Sequence, residues 1–121
     1  MPSAIKLNNL NNIEHKGQCA FIKWVRYAHP GLLVAAIPNG GNRDAITGRK
    51  LKDEGVLAGF PDILVARQGK SHPMLFIEMK SAKGKLSESQ KTIKEKLEWE
   101  GYLVVVCHSW EEAKEAVEGY L

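Results

Sequence analysis

At 121 residues, 44% of them hydrophobic, the chain has material for one core and too little for two, so a single domain spanning 1–121 is expected. Its 17 Lys and Arg outnumber 14 Asp and Glu for a formal charge of +3, which permits a polyanionic partner without demanding one. No run approaches the ~20 apolar residues of a membrane helix, the first residues lack a signal-peptide pattern, and no dinucleotide-binding glycine word occurs; a cytoplasmic protein with no membrane contact and no nucleotide cofactor is expected.

Met1–Leu10 is a polar lead without periodicity, expected to be loosely ordered. A helix is expected from Asn11 to about Ala28, where His29-Pro30-Gly31 stops it. Glu14, Gln18, Phe21 and Val25 recur at helical spacing, so two polar residues continue the stripe that carries core contacts. Glu14 has two readings: the acid of a capping box begun by Asn11, or a functional carboxylate. Cys19 in this helix and Cys107 at the end of a later apolar run have no metal-binding spacing and are both expected as small core residues of a reducing compartment.

Leu32–Ile37 is an apolar run of strand length closed by Pro38. Asn39-Gly40-Gly41-Asn42 is a turn word, and Arg43, Arg49, Lys50 and Lys52 follow it. The stretch is either a solvated loop entering a short helix or Gly-rich backbone beside cations, suited to close approach of phosphates. Leu51, Glu54 and Gly55 read as the end of that helix, with Gly55 as its C-terminal cap.

Gly59–Val65 and Met74–Lys80 are strand candidates joined by the turn Gln68-Gly69-Lys70-Ser71, and each carries charge where a buried strand should have none. Alternation puts Phe76, Glu78 and Lys80 on one face and Leu75, Ile77 and Met79 on the other. Pro61 suits the first residue of a strand and places Asp62 just inside it. If the strands pair as a hairpin, Asp62 lies opposite Glu78, and two carboxylates and one ammonium converge. Carboxylates held close resist ionising together, so such a pair calls for a cation, and a hard divalent metal with oxygen ligands is the usual one. That arrangement leaves a water to attack phosphorus, with Lys80 to orient or deprotonate it or to neutralise the phosphate.

Ser81–Lys85 is a basic loop leaving the second strand, either a phosphate neighbour or a solvated turn. Ser87 to Gln90 spells a capping box for a helix running to about Glu100 with Ile93 and Leu97 on one face. Gly101 ends that helix, Tyr102–Cys107 reads as a buried strand, and Ser109 to Glu112 spells a second capping box for a closing helix packed through Trp110, Ala113, Val117 and Tyr120. His15, His29, His72 and His108 share no spacing. The order of elements implies a mixed sheet flanked by helices, an α/β fold.

Pro61-Asp62 with Glu78-Met79-Lys80 resembles the signature of the PD-(D/E)xK nuclease superfamily. Together with Pro38–Arg43, Leu51–Asp62, Phe76–Lys80, Leu86–Gln90 and Gly101–Val106, the words run in the order of the VRR-NUC domain, the virus-type replication-repair nuclease, from about Glu14 to Leu121. This family is found as a free-standing phage protein and as the C-terminal domain of the Fanconi-associated nuclease.

The resemblance implies a restriction-endonuclease-like core and a Mg²⁺- or Mn²⁺-dependent DNA endonuclease leaving 5′-phosphates. It implies Asp62, Glu78 and Lys80 as catalytic residues, and Glu14, Asp62, Glu78 and the Met79 carbonyl as metal ligands, direct or through water. Gln18 and Gln90 would support them, and Arg43 and Lys52 would contact DNA; Lys83 and Lys85 join them as phosphate neighbours of Lys80. A homodimeric resolvase of four-way (Holliday) junctions is expected; the alternatives are a flap-type repair nuclease, or a non-catalytic DNA-binding module or subunit of a repair assembly. Trp24, Trp99 and Ile93 could serve a dimer surface or the core.

Overall fold

The computed structural model describes the backbone of residues 4–38 and 45–121 and the side chains of residues 13–38 and 47–121. Its elements are α1 (Ala4–Ala28), β1 (Val34–Ala36), α2 (Ala45–Asp53), β2 (Ile63–Val65), β3 (Leu75–Met79), α3 (Glu88–Trp99), β4 (Leu103–Cys107) and α4 (Trp110–Tyr120). The strands form one sheet of order β1-β2-β3-β4. β1/β2 and β2/β3 are antiparallel and β3/β4 is parallel. An α/β fold with a mixed central sheet and flanking helices is therefore what the chain adopts.

Strand β3 is buried at every position, as a central strand covered on both faces must be. Leu75, Ile77 and Met79 face a core made with Phe21 and Val25 of α1 and Ala113, Val117 and Tyr120 of α4. Phe21 and Val25 are four apart, and the α4 residues follow the same helical period. Burying each large side chain contributes roughly 1.5–3 kcal/mol, and Leu75 and Ile77 are completely buried. This apolar face holds β3 in place while its other face carries an acid. On that other face Phe76 packs edge-on between Phe60 and Tyr102, at centroid distances of 5.6 and 5.9 Å. Glu78, Val104 and Val106 there share a narrow cleft with Gln90 and Lys94 of α3.

The β2–β3 connection is held from the C-terminus of the chain. The Tyr120 hydroxyl lies 2.6 Å from the Arg67 carbonyl and 2.7 Å from the His72 carbonyl, sharing its one proton between them. Lys70 N–H donates to the Tyr120 carbonyl at 3.0 Å. A Cβ at Gly69 would fall 2.5 Å from that carbonyl oxygen, so only glycine lets the turn approach α4 this closely.

Three expectations are corrected here. Helix α1 starts at Ala4 rather than Asn11, so much of the polar lead is helical. No Gly or Pro between Ala4 and Leu10 stops it. Glu14 is then well inside the helix, and its reading as a first-turn capping acid falls. Cys19 is exposed, because it sits two positions, about 200°, around the helix from buried Phe21; its Sγ lies 3.5 Å from His15 Nε2. Cys107 is buried as expected, its thiol pushed up to about 12 by burial and then by the charge of Glu112.

The second capping box forms only in part. Ser109 Oγ accepts the Glu112 N–H at 3.2 Å, but the Glu112 carboxylate accepts the N–H of His108, at 3.0 Å, one residue before the cap. The first capping box is complete, with Ser87 and Gln90 bonded reciprocally. Of the candidate surface residues, Ile93 is buried, Trp24 packs against the core and Trp99 is 89% exposed. Among the described residues, no helix is long and apolar enough to cross a membrane.

Candidate active site

The β2/β3 register pairs Ile63 with Ile77 and Leu64 with Phe76. One step further it sets Asp62 against Glu78, as strand alternation and the hairpin turn predict. Asp62 lies just before the first ladder residue of β2, and its side chain takes over the ladder's work: Oδ2 accepts the Met79 N–H at 2.8 Å. Its carbonyl accepts the Ile37 N–H at 2.7 Å, tying the end of β1 to the same point.

Glu78 is 4% exposed. The Nε2 of Gln90 donates to Glu78 Oε1 at 3.1 Å, and Lys80 Nζ lies 3.8 Å from the same oxygen. The orientation of the Gln90 amide follows from the capping box, since Ser87 N–H needs an oxygen and finds Gln90 Oε1 at 2.8 Å. The amide nitrogen must then face Glu78. One residue thus caps α3 and fixes an acid of β3.

Burial raises the carboxyl of Asp62; the Met79 N–H, the hydrogen bond with Glu78 and the Lys80 charge oppose that rise. Glu78 is pushed up to about 8 by burial first, then by the charge of Asp62 and the hydrogen bond with it, with a further push from Glu14 against the pull of Lys80. Two carboxyls in contact, out of water, share a proton because they cannot both ionise cheaply.

From the α1 side, Glu14 Oε1 accepts the N–H of Ser81 at 3.1 Å. Gln18 is half-buried one turn along α1 and makes no hydrogen bond to the cluster among the described residues. Lys52 is exposed near the end of α2, and Lys83 and Lys85 are exposed on the turn that follows Lys80. Arg43 lies outside the described residues.

Among the described residues, no three His, Cys, Asp or Glu side chains gather closely enough to hold a cation alone. Asp62 and Glu78 meet, while Glu14, with Oε1 on the Ser81 N–H, is not gathered with them into a three-carboxylate cage. The residues present still fit a hard divalent cation. The donors are oxygens without thiolate or imidazole, and Glu78 is raised by burial first and then by the adjacent Asp62 charge, which a cation would offset. Such an ion keeps waters and takes one or two carboxylates.

Two contributors escaped the sequence reading. Ser81 is buried, 7% exposed, and its main chain fastens Glu14; the alternation Leu75, Ile77, Met79, Ser81 carries the signal, since it extends the inward face by one step. Gly59 has φ +89°, and a Cβ there would fall 2.5 Å from Ser89 C and O and 2.9 Å from Gln90 N. The segment leading to Asp62 is thereby pressed against the helix end that carries Gln90. Nothing in the local sequence signals that contact.

The family model for the VRR-NUC domain matches residues 5–111. A solved structure described as "VRR_NUC domain protein" is similar in fold, with a TM-score of 0.74 at 22% identity, over 90% of this chain and 88% of that one. No curated protein matches significantly.

Proposed function

The chain belongs to the VRR-NUC domain family, a family of nucleases of the PD-(D/E)xK type, and from that premise we propose that it is a Mg²⁺- or Mn²⁺-dependent endonuclease acting on branched DNA, with four-way junctions as substrate. The observation that carries the reading is the meeting of Asp62 and Glu78 at the end of the hairpin, with Lys80 Nζ 3.8 Å from Glu78 and the Glu78 carboxyl pushed up to about 8. Burial is the first cause of that rise and the Asp62 charge the second, and a cation held between the two carboxylates would offset the second.

Asp62, Glu78 and the Met79 carbonyl would hold the ion, with Glu14 reaching it through water. When bound, the ion polarises the phosphate and stabilises the charge that develops on it. The chain's own residues do the remaining work. Met79 N–H fixes one oxygen of Asp62, and Gln90 fixes one oxygen of Glu78, so each acid presents its remaining oxygen in a set direction. Lys80 Nζ, charged beside Glu78, orients the attacking water and balances the charge that builds on the phosphate; to deprotonate the water it would first have to give up its own proton. The water oxygen forms the new bond to phosphorus as the bond to the 3′ oxygen breaks; the water gives up its proton and the departing 3′ oxygen picks one up from solvent, leaving a 3′-hydroxyl and a 5′-phosphate. Lys52, Lys83 and Lys85 supply phosphate contacts, and Arg43, which lies outside the described residues, is the further cation that the family resemblance names. A two-fold homodimer would offer two such sites to a two-fold junction.

The test is cleavage of labelled four-way junction, 5′-flap and plain duplex DNA with Mg²⁺, Mn²⁺ or EDTA, comparing the wild type with Asp62→Asn. Paired, metal-dependent cuts across the junction that vanish in the variant are expected. Cutting of flaps alone replaces the junction reading with a repair-type nuclease. Binding of junctions without cutting under either metal replaces the catalytic reading with a DNA-binding module.

A further inference from the structure

The turn after Lys80 is closed by Gly84 N–H donating to the Ser81 carbonyl at 2.9 Å, and it carries Lys83 and Lys85 exposed on its outer side. Lys80 N–H, at its start, donates to the Cys107 carbonyl at 2.8 Å, so the turn leaves the sheet beside the end of β4. At Gly84 the packing is tight: a Cβ would lie 3.0 Å from Ser81 Oγ and 3.3 Å from Lys80 Cβ. The far side of the turn is met by His108, whose Nε2 is 3.1 Å from the Gly84 carbonyl oxygen. A carbonyl only accepts, so Nε2 carries the proton.

The imidazole is aimed there by the irregular cap of α4. Glu112 accepts the His108 N–H in place of the Ser109 N–H, and the same Glu112 oxygen lies 3.7 Å from Nδ1. The ring's hydrogen bond is the one from Nε2 to the Gly84 carbonyl; the Glu112 oxygen stands near Nδ1, beyond hydrogen-bond distance. Glu14 holds the opposite end of the turn through Ser81 N–H. Helix α1 and the connection between β4 and α4 therefore clamp the segment that departs from Lys80.

We propose that His108 is the positioning residue of the DNA-binding turn, its Nε2–H holding the Gly84 carbonyl so that Lys83 and Lys85 meet the phosphates next to the cut. This rests on the nuclease reading for its substrate, but its effect falls on DNA binding. His108 itself touches no reacting atom. Its loss lets the turn swing and spreads two cations over many positions, which weakens phosphate contacts without altering Asp62, Glu78 or Lys80.

The experiment compares wild type, His108→Ala and His108→Gln, whose amide can supply the same donor, in two readouts. These are KM and kcat on a four-way junction with Mg²⁺, and junction affinity by fluorescence anisotropy in EDTA. Circular dichroism melting verifies that each variant is folded. For His108→Ala, KM and the dissociation constant should rise roughly five- to tenfold, the scale of one lost hydrogen bond, with kcat little changed. His108→Gln should recover most of the loss, and in a Lys83→Ala, Lys85→Ala background His108→Ala should add almost nothing.

A fall in kcat at unchanged KM, full additivity with the lysine pair, or failure of Gln to recover affinity each overturns the proposal. If the wild type binds but never cuts, the catalytic reading fails while the anisotropy series still decides the role of His108. If it does not bind junction DNA, both fail.

Discussion

Asp62 Oδ2 and the main-chain nitrogen of Met79 stand 2.8 Å apart, so the acid at the mouth of β2 is hydrogen-bonded to the peptide that joins Glu78 to Met79. The side chain serves as a ladder acceptor and a site carboxylate at once. Its replacement therefore separates structure from chemistry, depending on what replaces it.

Asp62→Asn keeps an oxygen for Met79 N–H and removes a charge beside Glu78. Cutting should disappear, while the metal-free protein melts at the same temperature or a few degrees higher, the scale of about 1 kcal/mol. Asp62→Ala leaves that N–H without its partner and should cost about 1–3 kcal/mol as well as activity. Thermal melts in EDTA distinguish the two; marked unfolding of the Asn variant would assign Asp62 to structure alone. Lys80→Ala should keep metal binding, read by the metal-induced rise in melting temperature, and lose turnover.

Glu78 links stability to pH. Its carboxyl is raised from 4.5 to about 8 in the folded chain, so the folded state holds the proton that the unfolded chain has released. The stabilisation this provides is complete below pH 4.5 and is lost as pH rises through about 8. The melting temperature of the metal-free protein should fall across that window. Added Mg²⁺ should flatten the slope at its alkaline end, and Glu78→Gln should flatten it in EDTA. An unchanged slope in Glu78→Gln would assign the dependence to another group.

Gly59→Ala should be severe for a residue outside the acid cluster. Its φ of +89° disfavours any L side chain, and the new Cβ would meet the backbone of Ser89 at 2.5 Å. A loss of roughly 2–4 kcal/mol is expected from strain and clash together. Moving the start of α3 also draws Gln90 from Glu78, so kcat of the folded fraction should drop. Full activity per folded molecule would show that the contact is structural only.

Gln90 can be divided into its two roles. Gln90→Glu retains an acceptor for Ser87 N–H but loses the donor to Glu78 and adds a third carboxylate there, so helix stability should survive while the slope of melting temperature against pH steepens. Gln90→Ala loses both roles and should cost about 1 kcal/mol through the cap. Melting curves over pH with cleavage rates read both variants. Equal pH slopes in wild type and Gln90→Glu would mean that the amide does not govern Glu78.

What was legible in the chain was local. The turn at Gln68–Ser71 and the two-residue period of β3 place Glu78 on the face opposite Leu75 and Ile77, and hairpin register then sets Asp62 against it. The Ser87–Gln90 box starts α3 as read, because its partners lie within one turn. The tertiary structure decided whatever depends on elements far apart in the chain. The start of α1 at Ala4 is not visible locally, because Asn11 has the chemistry of a cap whatever lies upstream. The face of Cys19 depended on which stripe of α1 met the sheet.

The same dependence shapes the site. Gln90 reaches Glu78 only because Gly59 admits α3 so closely, and Ser81 fastens Glu14 only across the sheet's end. The turn bearing Lys83 and Lys85 takes its place from His108, because Glu112 accepts a main-chain hydrogen bond one residue earlier than the capping pattern prescribes. Sequence periodicity sets which side of its own element a residue occupies. The height of a buried carboxyl's pKa depends on desolvation and neighbouring charge, and those exist only once α1, the hairpin and α3 have closed around it.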